Sequence, residues 1–308
     1  MVRRSLVLAL ALATPAGCRG PTDPLDLVTR EGEGVLGAWV HSGFFNRTYY
    51  LHTPPGMTEE GSYPLLIVLH GAGDTGASFH ARIDPDRVTD AAGLVTVFPD
   101  GIGNTWTVGC GPCTPAGARG ANDVVFLHTL VRQLAEGLPV DTGRVFVVGF
   151  SQGGQLAQLY GCHSESPPAG IASVAGLLYR GVAEGCAPAA PFPVAFVHGD
   201  RDPVMSYHGF GPEASILSLP ESVDVWLGRM GCDSTPAESR TPDRVGDGTR
   251  VLTQSYAECE GGGPVEVYTV EAGGHTWPGR TGPWPLFTGR HSRNLDTTAR
   301  LVELLLFD

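Results

Sequence analysis

The chain contains no lysine; all 20 of its basic residues are arginine. That excludes a phosphate-loop lysine, a Schiff-base lysine and a lysine-dependent kinase site. Charge is scarce altogether, at 17% of residues, and it is lopsided. The 32 acidic side chains leave a formal net charge of −12, and there is no basic run. No nucleic-acid partner is therefore expected. Past the N-terminus, no apolar run approaches the roughly 20 residues of a membrane span. There is no internal repeat and no low-complexity tract. Glycine is abundant, with 43 residues, but it has no fixed period, which excludes a collagen-like chain. What remains is 308 residues of 42% hydrophobic content. That is too apolar for a disordered chain, and it is a length at which α/β enzymes often form one domain.

Residues 1–18 read as an export signal. Arg3 and Arg4 supply the charged start, and Leu6 to Ala13 form an apolar run too short for a mature span. Pro15-Ala16-Gly17-Cys18 then resembles a bacterial lipobox, in which the Cys18 thiol takes a lipid. The alternative is ordinary cleavage near Ala16, with Cys18 incidental. Residues 19–33, rich in Pro, Asp and Gly, read as a flexible tether, and 34–308 as one folded domain. The expected location is outside the cytoplasm, with membrane attachment only through Cys18. Six cysteines remain after Cys18, an even number suited to an oxidising compartment. Chain neighbours suggest Cys110–Cys113, Cys162–Cys186 and Cys232–Cys259, although spacing alone does not choose among the pairings.

Continuous apolar runs at Leu65–Leu69, Leu94–Phe98, Val145–Val148, Ile171–Val174 and Val194–Val197 predict strands buried on both faces. Val35–Ser42 and Thr48–Thr53 predict two earlier strands. Val265–Val270 alternates, as expected nearer an edge. Helical periodicity falls at Val124–Leu134, Gln152–Tyr160, Ser222–Met230 and Thr297–Leu305. Strands alternating with helices predict an α/β fold with a mostly parallel sheet and helices on both faces. Pro236–Gly248, polar and turn-rich, predicts a long loop.

Gly149-Phe150-Ser151-Gln152-Gly153 follows one predicted strand and opens a predicted helix. In that context G-x-S-x-G is a nucleophile elbow, with glycines where the turn leaves no room for side chains. An acyl-transfer serine needs an oxyanion hole. The N–H of Gln152 is one candidate donor. The loop His70-Gly71-Ala72-Gly73 offers the other at Ala72. An acid and then a base should follow in the chain. His198-Gly199-Asp200-Arg201-Asp202 and Gly273-Gly274-His275-Thr276-Trp277 each follow a predicted strand. Their side chains are thereby placed at the sheet's C-terminal edge. His275 is the candidate base, and position alone leaves Asp200 and Asp202 open as the acid.

Three motifs compete with this reading. Cys110-Gly111-Pro112-Cys113 spells a redox motif, but such motifs need a helix starting at the first Cys, and Thr114-Pro115-Ala116-Gly117 disfavours one. Asp74-Thr75-Gly76 and Asp141-Thr142-Gly143 mimic aspartic-protease loops without the preceding apolar strands. Asp100, after Phe98-Pro99, offers a second candidate acid. No His, Cys and Asp cluster has ligand spacing, so no metal or cofactor is implied.

The chain resembles the α/β-hydrolase esterases grouped as polyhydroxybutyrate depolymerase-like proteins and bacterial feruloyl esterases. The carriers are His70-Gly71, Phe98-Pro99-Asp100-Gly101 with Trp106, and Asn122-Asp123-Val124. They continue with the Ser151 elbow, His198-Gly199-x-x-Asp202-Pro203 with Tyr207, and Gly274-His275-Thr276-Trp277-Pro278-Gly279. The resemblance implies Ser151 as nucleophile, Asp202 as acid and His275 as base, and it matches Cys162, Cys232 and Cys259 to paired cysteines. It also implies an ester substrate, polymeric or small: hydroxyalkanoate oligomers or feruloyl and acetyl esters of plant glycans. Ala72-Gly73-Asp74 and Asn122 depart from the family pattern. Trp277 and Trp106 are candidates to wall an acyl pocket. A serine peptidase on the same fold and a non-catalytic polymer-binding lipoprotein are the alternatives.

Overall fold

The computed structural model describes residues 35–42, 45–211, 215–261, 263–279 and 282–307. The expected leader with Cys18 and the tether at 19–33 lie outside the described residues. Ten strands form one sheet: β1 (Val35–Ser42), β2 (Phe45–His52), β3 (Tyr63–Leu69), β4 (Val95–Pro99), β5 (Val140–Phe150), β6 (Gly170–Val174), β7 (Val194–Gly199), β8 (Ala237–Thr241), β9 (Arg250–Tyr256) and β10 (Val265–Glu271). Their order is β1-β2-β4-β3-β5-β6-β7-β10-β9-β8. The middle of the sheet, from β4 to β10, is parallel. Antiparallel strands finish both edges.

The helices are α1 (Gly76–Ile83), α2 (Asp86–Ala91), α3 (Pro115–Ala118), α4 (Asp123–Gly137), α5 (Gln152–His163), α6 (Arg180–Gly185), α7 (Leu219–Met230) and α8 (Thr297–Phe307). The period of two in a strand divides the core between the sheet's faces. Leu65, Ile67 and Leu69 of β3 pack with Leu127 and Leu130 of α4, Leu156 of α5 and Trp226 of α7. Leu66 and Val68 point the other way, to Phe79 and Ile83 of α1 and Leu301 of α8. Each such aliphatic side chain, fully buried, contributes about 1.5–3 kcal/mol. Helix starts follow capping chemistry. The Asn122 side chain accepts from Val125 N–H at 3.1 Å, and Ser218 and Glu221 form a reciprocal capping box on α7.

Three expectations change. Pro236–Gly248 is not one loop, because β8 occupies its first half and pairs with β9. The residues of β8 are almost all exposed, so no apolar pattern announces this edge strand. Val265–Val270 lies inside the sheet, between β7 and β9. Thr114 caps a four-residue helix, Pro115–Ala118, with proline in its first turn, where no N–H is needed. That helix starts after Cys113 rather than at Cys110.

The cysteines pair as Cys110–Cys113, Cys162–Cys186 and Cys232–Cys259. The second ties the end of α5 to the end of α6. The third joins the end of α7 to the turn after β9. Closing loops of 24 and 27 residues stabilises by about 3–4 kcal/mol each in the chain-entropy account.

Candidate active site

The strand β5 ends at Phe150 and α5 begins at Gln152, so Ser151 alone makes the turn. Its φ of 55° and ψ of −119° lie in a region that non-glycine residues rarely enter. A Cβ on Gly149 would come within 2.2 Å of the Gly153 backbone, and one on Gly153 within 2.2 Å of the Leu69 carbonyl. These glycines are dictated by atomic crowding at the turn, as the motif implied.

Ser151 meets a line of two further side chains. His275 Nε2 is 2.9 Å from Ser151 Oγ, and His275 Nδ1 is 2.7 Å from Asp202 Oδ2. His275 and Asp202 are buried. The other Asp202 oxygen accepts N–H bonds from Val204 (2.8 Å) and Met205 (2.7 Å), so both carboxylate oxygens have partners. Asp200, the alternative acid, is exposed. Its Oδ1 accepts the Ala272 N–H at 2.6 Å and so holds the turn after β10. The His275 loop is pinned at two further points: Gly274 N–H donates to the Arg290 carbonyl (2.8 Å) and His275 N–H to the Thr288 carbonyl (2.6 Å).

The loop after β3 lies against the elbow. A Cβ on Gly71 would be 3.0 Å from the Phe150 ring and 3.4 Å from Ser151 Cβ. Gly73 N–H donates to the Asn104 carbonyl at 2.8 Å, which fixes the loop on both sides of Ala72. Gln152 is the first residue of α5, where helix geometry gives the N–H no partner within the helix. Its side chain is held separately, with Oε1 accepting from Trp106 N–H at 3.1 Å.

Two buried histidines surround this line. His70 Nε2 accepts the Gly101 N–H (3.0 Å) while Nδ1 faces the Gly71 carbonyl (2.7 Å). A ring that accepts at one nitrogen and donates at the other is neutral, and burial pushes its pKa below the ordinary histidine value. His198 Nε2 faces the Met205 carbonyl at 2.8 Å and lies 3.7 Å from Asp202 Oδ2. Burial lowers its pKa as well. His70 thus acts as a fixed neutral strut under its loop, and His198 is held between the Met205 carbonyl and Asp202.

The two tryptophans expected to wall a pocket do not. Trp106 is 0% exposed and Trp277 2%. The Trp106 indole N–H donates to the His70 carbonyl (2.8 Å), and the Trp277 indole N–H to Thr298 Oγ1 (3.1 Å). Each ring is core, and its N–H is satisfied inside the fold. Beneath Trp106 lies an ion pair that sequence reading missed. Arg47 Nη2 and Asp123 Oδ1 are 2.7 Å apart and buried, with the guanidinium 4.0 Å from the Phe126 ring centroid. The other Asp123 oxygen accepts from Thr107 N–H and Oγ1.

The competing motifs find structural duties. Asp74 pairs with Arg82 (3.3 Å), and Asp141, which lies within β5, pairs with Arg144 (2.7 Å). These two carboxylates sit at opposite ends of the sheet. Asp100 anchors a loop, accepting from Gly76 N–H and Thr48 Oγ1. Among the described residues, no group of three His, Cys, Asp or Glu is placed to hold a metal ion. Nor is any helix there long and apolar enough to cross a membrane.

The phospholipase/carboxylesterase family model matches residues 119–214. A protein carrying the name esterase NocK, from Nocardia uniformis subsp. tsuyamanensis, is 32% identical over 275 residues, covering 84% of this chain and 79% of the relative. The chain belongs to the α/β-hydrolase esterases. Feruloyl esterase B of Piromyces equi is 28% identical over 72% of the chain, which spans 41% of that longer protein. An acetyl xylan esterase from Aspergillus awamori superposes with a TM-score of 0.58 at 14% identity, over 80% of this chain and 94% of its own. That likeness shows the shared fold. As a member of the esterase family, the protein is a carboxylic ester hydrolase.

Proposed function

We propose that the protein is a serine esterase acting through an acyl-enzyme, with Ser151 as nucleophile, His275 as base and Asp202 as acid. The observation that carries this reading is the unbroken line from Ser151 Oγ through His275 to Asp202, with contacts of 2.9 and 2.7 Å. Ser151 Oγ attacks the ester carbonyl and gives its proton to His275 Nε2. The N–H groups of Gln152 and Ala72 receive the developing oxyanion, a contribution that is usually large in acyl transfer. His275 then protonates the leaving alcohol, and later takes a proton from the water that releases the acid. Asp202 holds the imidazole with its proton on Nδ1 and offsets the charge on the imidazolium. The substrates are hydroxyalkanoate oligomers or feruloyl and acetyl esters of plant glycans. An alkyl fluorophosphonate tests the nucleophile. It should add to the Ser151 peptide in a mass spectrum and abolish hydrolysis; labelling elsewhere, with activity lost, would reject Ser151.

The same proposal places the protein outside the cytoplasm, after a leader at 1–18, on a tether at 19–33, with 34–308 as the catalytic domain. Three disulfides support an oxidising compartment. A lipid on Cys18 would hold it at a membrane, since several acyl chains anchor firmly where one does not. Cys18→Ala should then move the protein from the membrane fraction to the soluble one. A soluble wild type with a mature N-terminus away from Cys18 would show ordinary secretion.

A further inference from the structure

The stretch after His275 is tied to α1 at one point and to the His275 backbone at another. Gly282 N–H donates to the Arg82 carbonyl at 2.8 Å, and Thr288 holds the His275 N–H. Between these anchors stands Trp284, partly exposed. Its ring centroid is 5.0 Å from that of Phe150, which is 4.9 Å from that of His275. The Arg82 guanidinium lies 5.3 Å from the indole centroid. That same guanidinium pairs with Asp74, at 3.3 Å, just beyond Ala72. Arg82 therefore links the loop proposed to hold the oxyanion to the loop that carries the base, with the indole between them.

In an acyl-enzyme mechanism the alcohol half of the ester leaves on the side of His275, which protonates it. Trp284 stands one side chain removed from His275 and is the partly exposed member of that aromatic line. We propose that Trp284 is the specificity-determining surface for the alcohol half of the ester, and that this alcohol is a neutral sugar; the inference rests on the serine-esterase reading above. An indole offers a large, rigid apolar face. A sugar ring has an apolar C–H face of matching shape and hydroxyls around its rim. Asp74 offsets the Arg82 charge, so the groups beside the indole can bond hydroxyls without drawing anions. An alcohol bearing a carboxylate, as a hydroxyacid does, would find no net positive charge there to receive it. Trp106 and Trp277 are enclosed in the core and cannot serve.

Three esters sharing an acetyl group test this: acetylated xylobiose, ethyl acetate and 3-acetoxybutyrate. Wild type should favour the sugar ester. Trp284→Leu, which keeps apolar volume but removes the ring, should lower kcat/KM on that ester about tenfold through KM, and Trp284→Phe less than about threefold. Both variants should lose clearly less on ethyl acetate than on the sugar ester. Equal losses on the sugar and ethyl esters, or a wild-type preference for 3-acetoxybutyrate, would overturn the proposal. A binding arm separates its failure from that of the esterase reading. Ser151→Ala protein, unable to turn over, is titrated with xylobiose by calorimetry, with and without Trp284→Leu. Binding that depends on Trp284, with no ester cleaved by wild type, would keep the sugar surface and reject the serine esterase. Esters cleaved, with xylobiose binding absent or indifferent to Trp284, would reject the sugar surface alone.

Discussion

Replacing Ser151 by alanine is expected to lower kcat by about 10⁴–10⁶ on any ester that the wild type cleaves. The loss should fall on chemistry and leave the fold intact. Alanine retains the Cβ that already sits at φ 55°, and the hydroxyl removed has His275 as its partner. The glycines that make room for the turn are untouched. Some catalysis over water should survive, because the N–H groups proposed for the oxyanion remain in place. Kinetics at saturating substrate, beside circular dichroism of the same preparation, make the measurement. A variant that keeps more than a tenth of wild-type kcat would refute the triad.

The second large effect separates two neighbouring carboxylates. Asp202→Asn should cost about 10²–10⁴ in kcat, and Asp200→Asn less than about tenfold. The hydrogen bonds give the reason. Asp202 Oδ1 receives the N–H groups of Val204 and Met205. An asparagine would keep its carbonyl oxygen there and turn its NH₂ toward His275 Nδ1. That nitrogen would then have to accept, which moves the ring proton to Nε2, facing Ser151. The base would be lost with the geometry preserved. Asp200 holds only the Ala272 N–H, and an asparagine oxygen can do the same. Both variants should be compared on one ester near neutral pH. The reverse ranking would transfer the acid to Asp200.

Much of this arrangement was legible in the sequence because it rests on local patterns. The apolar runs at Leu65–Leu69 and Val194–Val197 are short and bounded by glycine or proline, which favours strands covered on both faces. The elbow states its own turn through Gly149 and Gly153. What could not be read depends on pairing across distance or on surfaces without pattern. Residues Ala237–Thr241 form a strand only because Arg250–Tyr256 offers its edge, and their side chains face water. Arg47 and Asp123 are far apart in the chain, and neither position hints that it is buried. Trp106 and Trp277 stand beside motif residues, which suggested the wrong role, since adjacency in sequence does not say which way a ring points. Trp284 lies in a proline- and glycine-rich stretch with no periodicity. Only the fold brings it to Phe150 and His275.

The strand order has a consequence for when the enzyme can become active. Ser151, Asp202 and His275 hang from β5, β7 and β10, and β10 enters the sheet beside β7 only after β8 and β9 have been passed over in the chain. A nascent chain carries the elbow and the proposed acid well before synthesis reaches Val265, and the proposed base joins them only when that strand docks. Long-range parallel pairing is among the slower steps in building such sheets. On the proposed triad, the hydrolase stays inert until β10 is in place beside β7. A chain threaded unfolded across a membrane would carry no esterase activity until it had emerged on the far side.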